Sequence, residues 1–334
     1  MQAKSIFFVS FLVFLFGCGE SRVEVTSIHG RTMGTSYSIS WPAVQKADPV
    51  AIQSKVDAEL VEVNRQMSTY DPQSEISIFN KAQAPAEQII SDGFAKVIQA
   101  ADELHGLSSG YFDPTVGPLV NLWGFGPDGR LNKAPEATAV SATMAKIGWD
   151  GVQLNGLTLT KSFDRYLDLS AIAKGYGVDI VAAVLEAHGI SNYLVEIGGE
   201  IRSKGQKAQG HPWRIAIESP KYDERQAQKV IELGNMGIAT SGDYRNFFVV
   251  DGQAFSHTID PFTGSPSRHT LASVTVIDTT CMRADGLATA MLVMGAEKAS
   301  VLAEQEGLAA YFIVRQPDGQ FVESTSSAWK RLFN

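Results

Sequence analysis

Cysteine is nearly absent: Cys18 and Cys281 are the only two in 334 residues. A disulfide framework is excluded, so burial of apolar side chains has to hold the fold. Basic residues are outnumbered, 28 Lys and Arg against 36 Asp and Glu, giving a net charge of −8 with no basic patch. That composition excludes the electrostatic footprint of a nucleic-acid binder. No internal repeat or low-complexity tract occurs, which removes solenoid and disordered classes. The N-terminal apolar run, Ile6 to Phe16, is too short to span a bilayer comfortably.

What is present begins with that run. Lys4 supplies a positive leader, and Leu15-Phe16-Gly17-Cys18 places a cysteine where cleavage is expected, the pattern of a bacterial lipoprotein signal. An ordinary signal peptide that contains a cysteine is the plainer reading. The lipoprotein reading predicts cleavage before Cys18 and lipidation of that residue. Cys281 is then left single, and is expected as a small buried residue near a strand end.

The remaining chain, 44% hydrophobic overall, is long enough for a substantial core. Ile28 to Trp41 reads as a strand or hairpin broken at Met33-Gly34-Thr35. Ile52, Val56, Leu60 and Val63 recur at helical spacing over 49–67, and a second helix is predicted over 91–108. Residues 110–129 carry many glycines and prolines yet also Tyr111, Phe112, Trp123 and Phe125, so this loop is buried or lines something flat and apolar. Further expectations are a helix near 141–147, strands at 152–159 and 166–169, and a helix from Ser170, as N-cap, to Gly189. Short strands follow at 192–196, 213–218, 229–233, 237–240, 246–250, 271–277 and 309–314. Many short antiparallel-type strands with several helices predict an α+β fold rather than a doubly wound parallel sheet.

Three segments carry chemistry. In Leu167-Asp168-Leu169-Ser170-Ala171-Ile172-Ala173-Lys174-Gly175, an acid precedes a helix start and a lysine lies one turn in. Free N–H groups, the helix dipole and Lys174 suit an anion, though a capped helix with packing glycines reads the same way. Asp285 and Thr289 are four apart within a helix expected over 284–294, which puts a carboxylate and a hydroxyl on one face. Mg²⁺ accepts such oxygen donors; equally, Asp285 could serve its own helix dipole and Thr289 the i−4 carbonyl. His257, in Phe255-Ser256-His257-Thr258-Ile259-Asp260-Pro261, is presented beside turn residues as a base for a hydroxyl or as a structural hydrogen-bonding group.

Taken in order, these pieces resemble one family. Met33-Gly34-Thr35, Ser68-Thr69-Tyr70, Gly110 to Pro118, Asp168 to Gly175, Glu196-Ile197-Gly198-Gly199, Ser241-Gly242-Asp243-Tyr244, His257 to Pro261 and Asp285 to Ala290 closely resemble the ApbE family of FAD:protein FMN transferases. The resemblance implies antiparallel sheets with packed helices in two merged lobes, a T-fold-related architecture with an FAD cleft between them. It divides the chain into a signal peptide (1–17), a lipidated tether (18–25) and the transferase domain (26–334). Met33, Tyr70, Tyr111, Phe112, Asp113, Asp168, Lys174, His257 and Ile259 are then FAD contacts. Mg²⁺ is held by the Ala171 carbonyl, Asp285 and Thr289, and His257 with Asp260 orients or deprotonates the acceptor hydroxyl.

The implied reaction moves FMN from FAD to a Thr or Ser of a partner protein and releases AMP. Implied acceptors carry an Asp-Gly-x-Thr/Ser-Gly-Ala-Thr/Ser-like motif, in subunits of the sodium-pumping quinone reductase or Rnf-type complexes. The expected location is the bacterial envelope, lipid-anchored, facing the periplasm at the inner membrane. Two rivals remain at this point: an FAD pyrophosphatase giving FMN and AMP, and an FAD-binding lipoprotein without chemistry.

Overall fold

The computed structural model describes residues 24–127, 129, 133–220, 226–244, 247–250 and 253–333. Residues 1–17, expected as a signal peptide, Cys18 and most of the expected tether lie outside the described residues. The frame is an eight-stranded antiparallel sheet whose strands lie side by side in chain order: Val25–Thr32, Thr35–Pro42, Tyr193–Ile197, Glu200–Lys204, Gly237–Gly242, Leu271–Asp278, Ala309–Arg315 and Phe321–Thr325. The α+β expectation stands.

Two short turns set the register at one side of the sheet. Met33 and Gly34 both have positive φ (47° and 73°), so the first two strands reverse in two residues, with Thr32 opposite Thr35. Gly198 and Gly199 (φ 61° and 106°) do the same for the next pair and set Ile197 opposite Glu200. The long excursions between strands carry the helices and the smaller sheets.

Both faces of the sheet are covered, and strand alternation shows how. Val274, Val276, Ala310 and Phe312 point into one core, among the Asp92–Leu107 and Cys281–Met294 helices. Their neighbours Ile277, Ala309, Tyr311 and Ile313 point the other way, against the Trp213–Glu218/Ala227–Leu233 hairpin and Trp329 of the C-terminal helix. Strands buried on both faces read as continuous apolar runs, as these do. The Pro49–Met67 helix buries Ile52, Val56, Leu60 and Val63, as their spacing predicts, and Asp48 caps it by accepting the Val50 N–H (3.0 Å). Together with Val178, Val181 and Leu185 of the Ala173–Ala187 helix, it covers the first strands of the sheet. Each such buried Val or Leu contributes roughly 1.5–3 kcal/mol, so Val181→Asp is enough to unseat that helix.

Several boundaries differ from expectation, for identifiable reasons. Residues 152–159 form a tight hairpin, Val152–Asn155 with Thr158–Lys161, rather than one strand. The helix placed at 141–147 runs from Ala137 to Met144. Tyr166–Leu169 joins no sheet: Asn80 takes both main-chain groups of Leu167 (N–H to Oδ1 2.7 Å; Nδ2 to the carbonyl 2.8 Å), and Asp168 N–H goes to the Pro114 carbonyl (2.7 Å). Ser170 is not the N-cap. It sits in a turn closed by Asp168 (Ser170 N–H to Oδ1, 2.9 Å), and the helix starts at Ala173 behind Ile172, whose side chain cannot cap.

Candidate active site

A cavity of about 780 Å³ opens on one side of the sheet, within the usual range for small-molecule sites. Its wall draws on the 33–34 turn, the loop after the first long helix, residues 111–116, the 168–174 segment, the strand ending at Gly242, residues 257–259, and Asp285 and Thr289. Met33, Tyr70, Tyr111, Phe112, Asp113, Asp168, Ala171, Lys174, His257, Ile259, Asp285 and Thr289 therefore all meet at one place. Asp260 does not line the cavity. Its Oδ1 accepts the Phe262 N–H (2.8 Å) and its carbonyl accepts from Gly264 (2.8 Å), closing the turn that follows His257.

The polar end is built by two helices that cap each other. Ile172 offers no side-chain cap, and the Gly175 N–H is satisfied instead by Oδ2 of Asp285 (2.9 Å), which belongs to the Cys281–Met294 helix. In return, Asp179 of the Ala173–Ala187 helix accepts the N–H groups of Cys281 (3.1 Å) and Met282 (2.9 Å). Close approach makes this possible, because a Cβ on Gly175 would lie 2.4 Å from the Cys281 carbonyl oxygen and 2.8 Å from Asp285 Cβ. The latter helix begins at Cys281 rather than 284, so Asp285 lies beyond its first turn and serves the other helix's dipole.

Asp285 is 3% exposed. Burial, reinforced by the negative Glu200, pushes its carboxyl up to about 7 against the pull of Lys174 and the Gly175 N–H. Lys174 Nζ lies 2.9 Å from Glu200 Oε1 and 3.7 Å from Asp285 Oδ1. Burial opposes its charge, but the two carboxylates outweigh it and hold the ammonium above its usual range. Thr289 Oγ1 lies 3.0 Å from Ser241 Oγ, so a second hydroxyl stands beside the predicted one. Among the described residues no three His, Cys, Asp or Glu side chains gather as a metal site. The oxygen set of one carboxylate, hydroxyls and the main chain at Ala171 suits only a hard cation that keeps water or phosphate ligands.

The apolar end carries the aromatics. Tyr70 is 70% exposed at the rim, and Tyr111 meets Phe262 edge-on (4.8 Å) with its hydroxyl bonded by Lys298. Phe112 lines the cavity wall while packing into the core, and the residue is 3% exposed. Asp113 is taken up by Thr115, accepting from its N–H (2.7 Å) and hydroxyl (2.6 Å). His257 is exposed, edge-on to Phe125 (6.3 Å). Cys281 is fully buried, and burial together with Asp179 and Asp285 pushes its thiol up, which disqualifies it as a nucleophile. Glu200 and Ser241 were not singled out by sequence. Each follows a quoted glycine motif or lies within one, and only strand pairing brings them to the site.

The family model of the ApbE family matches residues 33–312. The FAD:protein FMN transferase of Vibrio cholerae is 47% identical over 323 residues, covering 96% of each chain, and that of Haemophilus influenzae is 45% identical, covering 98% and 97%. The solved flavin transferase ApbE from Vibrio cholerae superposes with a TM-score of 0.87, covering 93% of this chain and 99% of that one. The apo Pseudomonas stutzeri flavinyl transferase ApbE, 43% identical, gives 0.86 with 93% and 97% covered. With likeness of this extent in sequence and in fold, the chain belongs to the ApbE family.

Proposed function

We propose that the protein transfers the FMN half of FAD to a serine or threonine hydroxyl of an acceptor protein and releases AMP. The observation that supports this best is the wall where Lys174, the start of the Ala173–Ala187 helix, Asp285 and Thr289 converge on one cavity. Lys174 and the helix start draw the pyrophosphate by charge and dipole. Tyr70 and Tyr111 offer aromatic surface to the flat rings of FAD, with Met33 and Ile259 as apolar contacts, while Asp113 and Asp168 order the loops around them.

The acceptor oxygen attacks the FMN phosphorus, the bond to the AMP phosphate breaks, and the hydroxyl proton goes to His257. Exposure of His257 at the cavity lets a protein-borne hydroxyl reach it. Asp260 supports the step indirectly, by closing the turn that carries the histidine. Asp285, Thr289 and the Ala171 carbonyl would hold Mg²⁺. Held there, Mg²⁺ would supply positive charge against the departing phosphate.

The lipoprotein leader supports a further part of this reading: cleavage before Cys18, lipidation of Cys18, and work at the periplasmic face of the inner membrane on subunits of the quinone reductase or Rnf type. Incorporation of labelled fatty acid that disappears in Cys18→Ala checks the anchor. For the chemistry, the soluble body is incubated with FAD, Mg²⁺ and a purified acceptor domain. An acceptor mass gain equal to FMN, matched by AMP, is expected. AMP without adduct would show a pyrophosphatase, and bound FAD without either product a carrier.

A further inference from the structure

Glu200 has no part in the reaction just described, yet it is as deeply placed as Asp285. Among the described residues these two are the buried acids, 4% and 3% exposed. We propose that Glu200 is a positioning residue that holds the Lys174 ammonium away from Asp285 and so leaves Asp285 open to the divalent cation. The proposal rests on the transferase reading for the presence of that cation.

The geometry carries it. Asp285 Oδ2 is committed to the Gly175 N–H, so Oδ1 is the oxygen left for a cation. That same atom faces Lys174 at 3.7 Å, an ion pair too long for a hydrogen bond. Glu200 Oε1 takes the ammonium at 2.9 Å instead. Without that pull, Lys174 is free to close the gap and become an internal cation where the metal belongs.

The local backbone is shaped for the arrangement. Gly198 and Gly199 turn the chain in two residues and make Glu200 the first residue of the next strand. A Cβ on Gly198 would lie 3.4 Å from Lys174 Cδ, so the lysine stem runs along bare main chain toward Glu200. Glu200 Oε2 is buried with no hydrogen-bond partner among the described residues. A carboxylate desolvated at this cost, and satisfied on one oxygen only, is poorly explained as a stabilising pair. Placement of the lysine explains it.

The test is Mg²⁺ titrated by calorimetry, with no acceptor present, into protein held saturated with FAD, each variant's FAD occupancy being matched to wild type by flavin absorbance before the titration. Glu200→Gln keeps the shape and removes the charge. The Mg²⁺ dissociation constant is expected to rise by about tenfold or more, the scale of one added short-range charge contact. Lys174→Met in the Glu200→Gln background removes the competitor and is expected to recover the wild-type constant, whereas a merely structural role for Glu200 makes the double variant no better. Should Glu200→Gln fail to fold, Lys174→Met alone is expected to bind Mg²⁺ at least as tightly as wild type, and Glu200→Asp to fall between. An unchanged constant in Glu200→Gln, no recovery in the double variant, or weakened Mg²⁺ binding in Lys174→Met overturns the proposal. If wild type binds Mg²⁺ but labels no acceptor, the transferase reading fails while the calorimetry still decides this one.

Discussion

Asp179 and Asp285 cap each other's helices: Oδ2 of Asp285 accepts the Gly175 N–H at 2.9 Å, and Asp179 accepts the Cys281 and Met282 N–H groups at 3.1 and 2.9 Å. The carboxylate proposed for the cation is thus also half of a structural exchange. Arg202 pairs closely with Asp179 (2.5 Å), whereas on the Asp285 side the cation, Lys174, stands further off at 3.7 Å.

The two duties of Asp285 separate by substitution. Asp285→Asn keeps an acceptor for Gly175 and is expected to melt near wild type while losing Mg²⁺-dependent transfer. Asp285→Ala loses transfer and also leaves that N–H unsatisfied, at a cost of about 1–2 kcal/mol. Thermal unfolding beside the flavinylation assay checks both. An Asn variant that keeps full Mg²⁺-dependent activity would remove Asp285 from the metal site.

The contribution of Asp285 to the stability of the metal-free protein is expected to fall with rising pH. Asp285 moves from 3.8 to about 7 on folding, so between those values the native state holds a proton that the unfolded chain has released. The contribution is complete below about pH 4 and lost through about pH 7, with a slope of at most ~1.4 kcal/mol per pH unit. Urea unfolding across this range should show the slope in wild type and a flatter line in Asp285→Asn. Mg²⁺ added near pH 8 should restore stability to wild type only.

Gly175→Ala is expected to cost about 1–3 kcal/mol, because the new methyl meets main-chain atoms of Cys281, which cannot rotate away. Spreading the helices also moves Asp285 off the Gly175 N–H. Melting temperature and Mg²⁺ affinity should fall together, and an unchanged melt would refute the close approach.

Asn80→Ala removes both hydrogen bonds that hold Leu167 next to Asp168. A loss of about 1–3 kcal/mol is expected from the orphaned main-chain groups. FAD should bind more weakly while the turnover rate at saturating FAD changes less. A variant with wild-type FAD affinity would show that the 168–174 segment holds its place without Asn80.

Much of the fold was legible because it rests on local periodicity. The 49–67 helix followed from four apolar residues at helical spacing, and the 271–278 and 309–315 strands from short apolar runs. Tyr166–Leu169 alternates like a strand, but a ladder needs a partner strand, and Asn80 took its main chain instead. Site motifs were legible as residue types and order. Their couplings were not: nothing local to Asp285 shows that it caps a helix more than a hundred residues earlier. Glu200 is visible only as the residue after a glycine pair, since its role comes from a two-glycine turn and from where Lys174 points.

The strands lie in chain order, and the cavity collects residues from Met33 to Val293, mostly from the turns, loops and helices between the strands. No half of the polypeptide contains the pocket. During synthesis the emerging chain therefore lacks the assembled FAD site until its last third has joined the sheet, because contacts this far apart in sequence form late. A truncated product should be blind to FAD rather than weakly active, so ligand-induced protection becomes a readout for completed molecules.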